Sequence, residues 1–114
     1  MKKFILITGL LLSFSSYASV EQALQNICTI VAADDVRELR KKDRKVRVDY
    51  GLQIKDYFEG ISCNGNDLLV HSQNNNSQEA LSYILKKLPK SYLEENISKY
   101  SSEIQNMINE RIKD

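Results

Sequence analysis

The chain has 114 residues, 16 basic and 15 acidic side chains, a net charge of +1 and no tryptophan. This near-neutral balance excludes a general nucleic-acid binder, and the length excludes two independent hydrophobic cores. A single proline and only four glycines suit helices better than a turn-rich β-sandwich.

The first element reads as an export leader. Lys2 and Lys3 form a basic head, and an apolar run from Phe4 to Leu12 is broken only by Thr8 and Gly9. Ser16-Tyr17-Ala18 then offers the small side chains a signal peptidase requires. The spacing predicts a signal peptide over residues 1–18, cut near Ala18, and a periplasmic or secreted mature chain. The apolar run is about nine residues, well short of the roughly 20 needed to span a bilayer. Losing Lys2 and Lys3 turns the net charge slightly negative.

The mature part is expected to hold a small disulfide-tied helical domain over residues 19–89, followed by a C-terminal amphipathic helix over residues 90–114. From Ser19 to Ala33, Val20, Ala23, Leu24, Ile27, Cys28, Ile30 and Val31 recur at three- and four-residue steps, which predicts a helix with one apolar face. Asp34 and Asp35 supply the next helix start, with Glu38 three residues after Asp35. That helix is expected to run to about Lys42. Val46, Val48, Tyr50, Leu52 and Ile54 alternate as in a strand, while Tyr50, Ile54, Tyr57, Phe58 and Ile61 follow helical spacing. We expect an extended entry through Val48, then a helix from about Leu52 to Glu59, ended by Gly60.

Cys63-Asn64-Gly65-Asn66-Asp67 holds the sharpest local signal, because Asn-Gly suits a turn with positive φ at both central positions. Two outcomes stay open: a hairpin over residues 61–71, or a helix from Leu68 to about Gln73 capped by Asp67. Ser77 then starts a helix with Ala80, Leu81, Ile84, Leu85 and Leu88 facing inward, stopped by Pro89. Ser91 and Glu94 have capping-box spacing. From there Leu93, Ile97, Tyr100, Ile104, Met107 and Ile108 mark one stripe of a helix about five turns long. The fold class expected is therefore mainly α, with α+β carrying a short hairpin at 61–71 as the alternative.

Cys28 and Cys63 are the two cysteines after the leader, and in an oxidising compartment they can form one intramolecular bond. Closing a loop of that length would stabilise the fold by about 3–4 kcal/mol in the chain-entropy model. Their separation does not fit a redox pair two residues apart. A metal site would lack ligands, since His71 is the only histidine.

The segment from Gly65 onward resembles part of an ankyrin-type helix pair, with Gly65-Asn66-Asp67-Leu68-Leu69 as turn and first helix and Ala80 to Leu85 in the second. It departs from the repeat at Asp67, Leu68 and Val70, and one unit cannot bury its own face. More widely, Cys28, Asp34-Asp35, Cys63-Asn64-Gly65 and Leu68-Leu69 resemble the pattern of a family of small exported bacterial proteins of unknown function. This resemblance spans Glu21 to Pro89, leaves out the C-terminal helix and implies no activity.

No catalytic constellation is visible. His71 has no serine elbow to serve, and Asp56 and Glu59 read as solvated helix carboxylates. We expect no enzyme and no cofactor, with a hydrolase the minor alternative. Two surfaces remain. Arg37, Arg40, Lys41, Arg44, Lys45 and Arg47, together with Lys42, concentrate positive charge in one segment. That run is either a solvated face or a footprint for an anionic envelope polymer or lipid headgroup. The stripe of Leu93, Ile97, Tyr100, Ile104, Met107 and Ile108 either completes the core or docks on a protein partner. The expected function is that of a non-catalytic binding or accessory protein acting through a protein partner, with anion binding through residues 37–47 as the alternative.

Overall fold

The computed structural model describes residues 20–114. The expected leader over 1–18 and the Ser19 cap lie outside them. The first helix, α1, covers residues 20–32 and turns Ile27 and Val31 fully inward. Its end is built by Asp34 at φ 53°. The Asp34 and Asp35 N–H groups donate to the carbonyls of Val31 (2.9 Å) and Ile30 (3.2 Å). This is the left-handed helix stop that usually takes glycine, and a short polar side chain tolerates it.

Asp35 then caps α2 (Val36–Tyr50) by accepting from the Glu38 N–H at 3.2 Å. The helix runs eight residues past the expected stop at Lys42, and no extended entry forms at 46–48. The reason is the stripe Leu39, Asp43, Val46, which recurs at helical steps and is buried, whereas Val48 is 74% exposed and Tyr50 39%. A strand would have placed Val46 and Val48 on one face. Gly51 ends α2 at φ 69° with its N–H on the Arg47 carbonyl, a conformation a glycine adopts without steric cost.

The helix expected over 52–59 is shorter. α3 spans Ile54–Tyr57 and passes into a 3-10 turn at Phe58–Gly60. Asp56 sets its start by accepting from the Gln53 N–H at 2.9 Å, which places the boundary after Leu52. The Asn-Gly turn does form, with Asn64 at φ 55° and Gly65 at φ 84°. Cys63 and Asn66 exchange backbone hydrogen bonds of 2.8 and 3.1 Å. That single bridge is as far as pairing goes, and no strand exists among the described residues. The hairpin alternative is overturned because Asp67 accepts from the Val70 N–H at 3.0 Å and starts α4 (Leu68–Asn74) at once. The fold is mainly α.

The remaining helices are α5 (Gln78–Lys87), α6 (Lys90–Asn96) and α7 (Ser102–Lys113), with a 3-10 turn at Ile97–Lys99 between the last two. The single five-turn helix expected after Pro89 is thus two helices. Tyr100 is extended at φ −106°, ψ 162°, and Ser101 caps the new helix through the Ile104 N–H. Tyr100 is held in that break by donating its hydroxyl to Asp67 at 2.7 Å. Pro89 occupies the cap position of α6, so Ser91 lies inside the helix and makes no cap.

α5 packs against α2, α3, α4 and α7. Its inner face of Ala80, Leu81, Ile84 and Leu85 is buried. Both of its ends are capped by other elements. At the N-terminus Asp34 accepts from the Ala80 N–H at 2.9 Å. At the C-terminus Arg111 of α7 donates to the carbonyls of Leu85, Lys86 and Leu88 at 3.1, 3.4 and 3.3 Å. An anion at the start and a cation at the end complement the helix dipole. The two adjacent aspartates therefore differ in role: Asp35 caps its own helix and Asp34 anchors the loop to α5. Cys28 and Cys63 are bonded, with Cα atoms 5.7 Å apart and a sequence separation of 35. The bond fastens α1 to the segment before α4. Beside it the His71 Nε2–H donates to the Cys28 carbonyl at 2.8 Å.

Candidate functional site

The basic segment becomes ordered once it is helical. Arg37, Arg40, Arg44 and Arg47 follow at steps of three, four and three, so they lie along one flank of α2. Of the lysines in the same run, Lys41 borders that flank beside Arg37, and Lys42 and Lys45 lie farther round the helix. Lys41 pairs with Glu38 at 3.6 Å and Lys45 with Asp49 at 2.9 Å. The Asp49 hydrogen bond and charge raise the Lys45 pKa. These two exposed pairs contribute little to stability, but each places a carboxylate beside its lysine.

Asp43 organises the flank that meets α5. It is 2% exposed, although it sits in the middle of a basic run. One carboxylate oxygen accepts from the Tyr57 hydroxyl at 3.2 Å and the other from the Tyr83 hydroxyl at 2.8 Å. Arg47 lies 4.0 Å away. Burial, followed by the neighbouring carboxylate, pushes both phenols above their usual range. Tyr83 is thereby pinned between α2 and α5. The Arg40 guanidinium lies 5.9 Å from its ring centroid and the Lys87 ammonium 5.4 Å.

Around that ring runs a groove of about 540 Å³, lined by Arg40, Lys86 and Lys87 with Gln78, Ser82 and Glu79. Arg40, Lys86 and Lys87 form no ion pair among the described residues. Arg37 and Lys41 lie in a neighbouring depression shared with the carboxylates of Asp34, Asp35, Glu38 and Glu79. Arg44 is exposed. Sequence reasoning located Arg40 and passed over Lys86 and Lys87, which stand in the last turn of α5, where Arg111 already serves the carbonyls.

The terminal stripe lies inside the molecule. Leu93, Tyr100, Ile104 and Ile108 belong to the core, and Ile97 and Met107 pack against it. The candidate polar residues are likewise engaged in the fold. His71 is 8% exposed and bonded to Cys28, Ser72 donates to the Leu68 carbonyl, and Asp56 holds the Gln53 N–H. Among the described residues no three His, Cys, Asp or Glu side chains converge as metal ligands, and no helix is long and apolar enough to cross a membrane.

Residues 27–95 match the model of a family described as proteins of unknown function, DUF3718. The chain belongs to this family. The matched segment holds both cysteines, all of α2 and α5, and nearly all of α6, while α7 lies beyond it. No curated protein and no solved structure matches the chain.

Proposed function

We propose that this DUF3718 member is an exported, non-catalytic binding protein that engages an anionic envelope component through the arginine flank of α2 and the groove it forms with α5. The observation that carries the reading is Arg40 and Lys87 against Tyr83 with Lys86 in the same groove, cations drawn from two helices that form no ion pair among the described residues. Cations held against an aromatic face keep their N–H groups free for an incoming anion. Export is supported by the leader-like pattern up to Ala18 and by the Cys28–Cys63 bond, since such bonds persist in oxidising compartments. The absence of catalysis is supported by the commitment of His71, Asp56 and Asp43 to structural hydrogen bonds. Docking of a protein partner along Leu93 to Ile108 has less support, because that stripe faces the chain's own core.

Cys63-Asn64-Gly65 is taken as a family motif because it lies in the matched segment and builds the turn that places the disulfide. The ankyrin-like reading of α4 and α5 is supported by their packing as neighbours across a short connection.

Charge reversal tests the anion reading. Arg40→Glu with Arg44→Glu should elute from heparin, and release phosphatidylglycerol vesicles, at clearly lower salt than the parent chain. Unchanged salt dependence on both would overturn the reading.

A further inference from the structure

We infer that the α2–α5 groove is a phosphate site, with Arg40, Lys86 and Lys87 as its anion-holding residues; the inference rests on the anion-binding reading above and names the ligand chemistry. Lys86 and Lys87 stand in the last turn of α5, where cations ordinarily complement the helix end. That role is already filled, because Arg111 donates to three of the carbonyls there. The lysines are therefore additional positive charge at a capped helix end. Arg40 of α2 and Lys87 both lie against the Tyr83 ring, and Lys86 lines the same groove.

Two cations against one ring, with a third lining the same groove, suit a dianion better than a monoanion. A planar guanidinium adds a fork that fits two oxygens of a phosphate. Glu79 lines the same groove two turns earlier on α5. Its charge turns an anion toward the Lys86–Lys87 end. The volume of about 540 Å³ lies within the range of small-molecule sites. It accommodates a phosphate together with the group that carries it, and Ser82 and Gln78 offer further polar contacts. The phosphate can belong to a lipid headgroup or to a polymer, and the chemistry at the groove is the same.

The test uses the mature chain with its disulfide intact and three probes. These are vesicles of phosphatidylcholine with phosphatidic acid, long-chain inorganic polyphosphate, and polyglutamate as a carboxylate polymer. At least one phosphate probe should bind more tightly than polyglutamate. Lys86→Gln with Lys87→Gln should weaken that binding by about 30-fold with an unchanged circular dichroism spectrum. Arg40→Lys keeps the charge and should narrow the preference for phosphate over carboxylate. Binding to vesicles alone identifies a headgroup, and binding to polyphosphate alone identifies a polymer; either supports the site. Equal binding of polyglutamate, or an unaffected lysine double variant, overturns the phosphate site and leaves the broader anion reading standing. If no probe of either class binds, both fall.

Discussion

Replacing Asp43 tests the physical core of this account, because one buried carboxylate joins α2, α3 and α5. It accepts one hydroxyl at 3.2 Å and another at 2.8 Å. Hydrogen bonds to a charged group contribute about 1.5–3 kcal/mol each, and an abandoned buried hydroxyl costs about 1–3 kcal/mol. Releasing the carboxylate from its buried site offsets part of that loss. Tyr57, at 4% exposure, has no route to water, whereas Tyr83 is only half buried and recovers some solvation. Asp43→Ala should therefore destabilise by about 2–4 kcal/mol and Asp43→Asn by about 1–2 kcal/mol. The assay is urea unfolding at neutral pH with the disulfide intact, comparing midpoints at constant slope. A cycle separates a lost network from lost volume. Asp43→Leu combined with Tyr57→Phe and Tyr83→Phe removes the carboxylate together with both buried hydroxyls, leaving the half-exposed Arg47 to water, and should lie closer to the parent than Asp43→Ala does. If Asp43→Ala stays within about 0.5 kcal/mol of the parent, or the triple variant is no better, the carboxylate does not hold these helices.

Two further outcomes follow from the same geometry. Reducing Cys28–Cys63, or replacing both by alanine, should lower stability by about 3–4 kcal/mol for a loop of 35 positions, read as a shift in urea midpoint; an unchanged midpoint would remove the bond from the stability account. Burial raises the phenols of Tyr57, Tyr83 and Tyr100 above their ordinary value near 10. The unfolded chain then loses these protons first, so the stability they contribute is complete below about pH 10 and declines as pH rises beyond it. Tyrosinate absorbance should show these three ionising together with unfolding, and their early ionisation in a folded chain would contradict the burial.

Much of the helical framework was legible because buried faces repeat at helical steps, as Ile27 and Val31 do in α1 and Ala80, Leu81, Ile84 and Leu85 in α5. Local chemistry was legible where one side chain decides a boundary, as Pro89 does for the end of α5, whereas the start of α4 at Asp67 stayed open between a hairpin and a capped helix. The errors have a common origin. The alternation of Val46, Val48 and Tyr50 imitated a strand, and only the burial of Val46 beside Leu39 and Asp43 shows the helix continuing. The stripe from Leu93 to Ile108 keeps its phase across the break at Tyr100, so periodicity alone cannot detect it. That break depends on the Tyr100–Asp67 hydrogen bond, a contact 33 residues apart in sequence.

The site was harder to see for the same reason. Asp43 stands among arginines and lysines in the sequence, yet it is buried and fixes Tyr83. Asp34 looked like half of a helix start and instead caps a helix 46 residues away. The basic run was visible as composition. Its division into an arginine flank and acid-paired lysines required the helix to extend to Tyr50, and its union with Lys86 and Lys87 required α5 to lie against it.

The most direct test of the central claim is a ¹⁵N–¹H NMR titration of the isotope-labelled chain, residues 19–114, with long-chain polyphosphate and, separately, with a soluble short-chain phosphatidic acid, followed residue by residue for whichever binds. The account predicts saturable shifts concentrated at Arg40 and its neighbours on α2 and at Ser82 to Lys87 on α5, with the core amides of α4 and α7 unmoved. Shifts confined to the outer face of α6 and α7, or no saturable shift in either helix lining the groove, would contradict it.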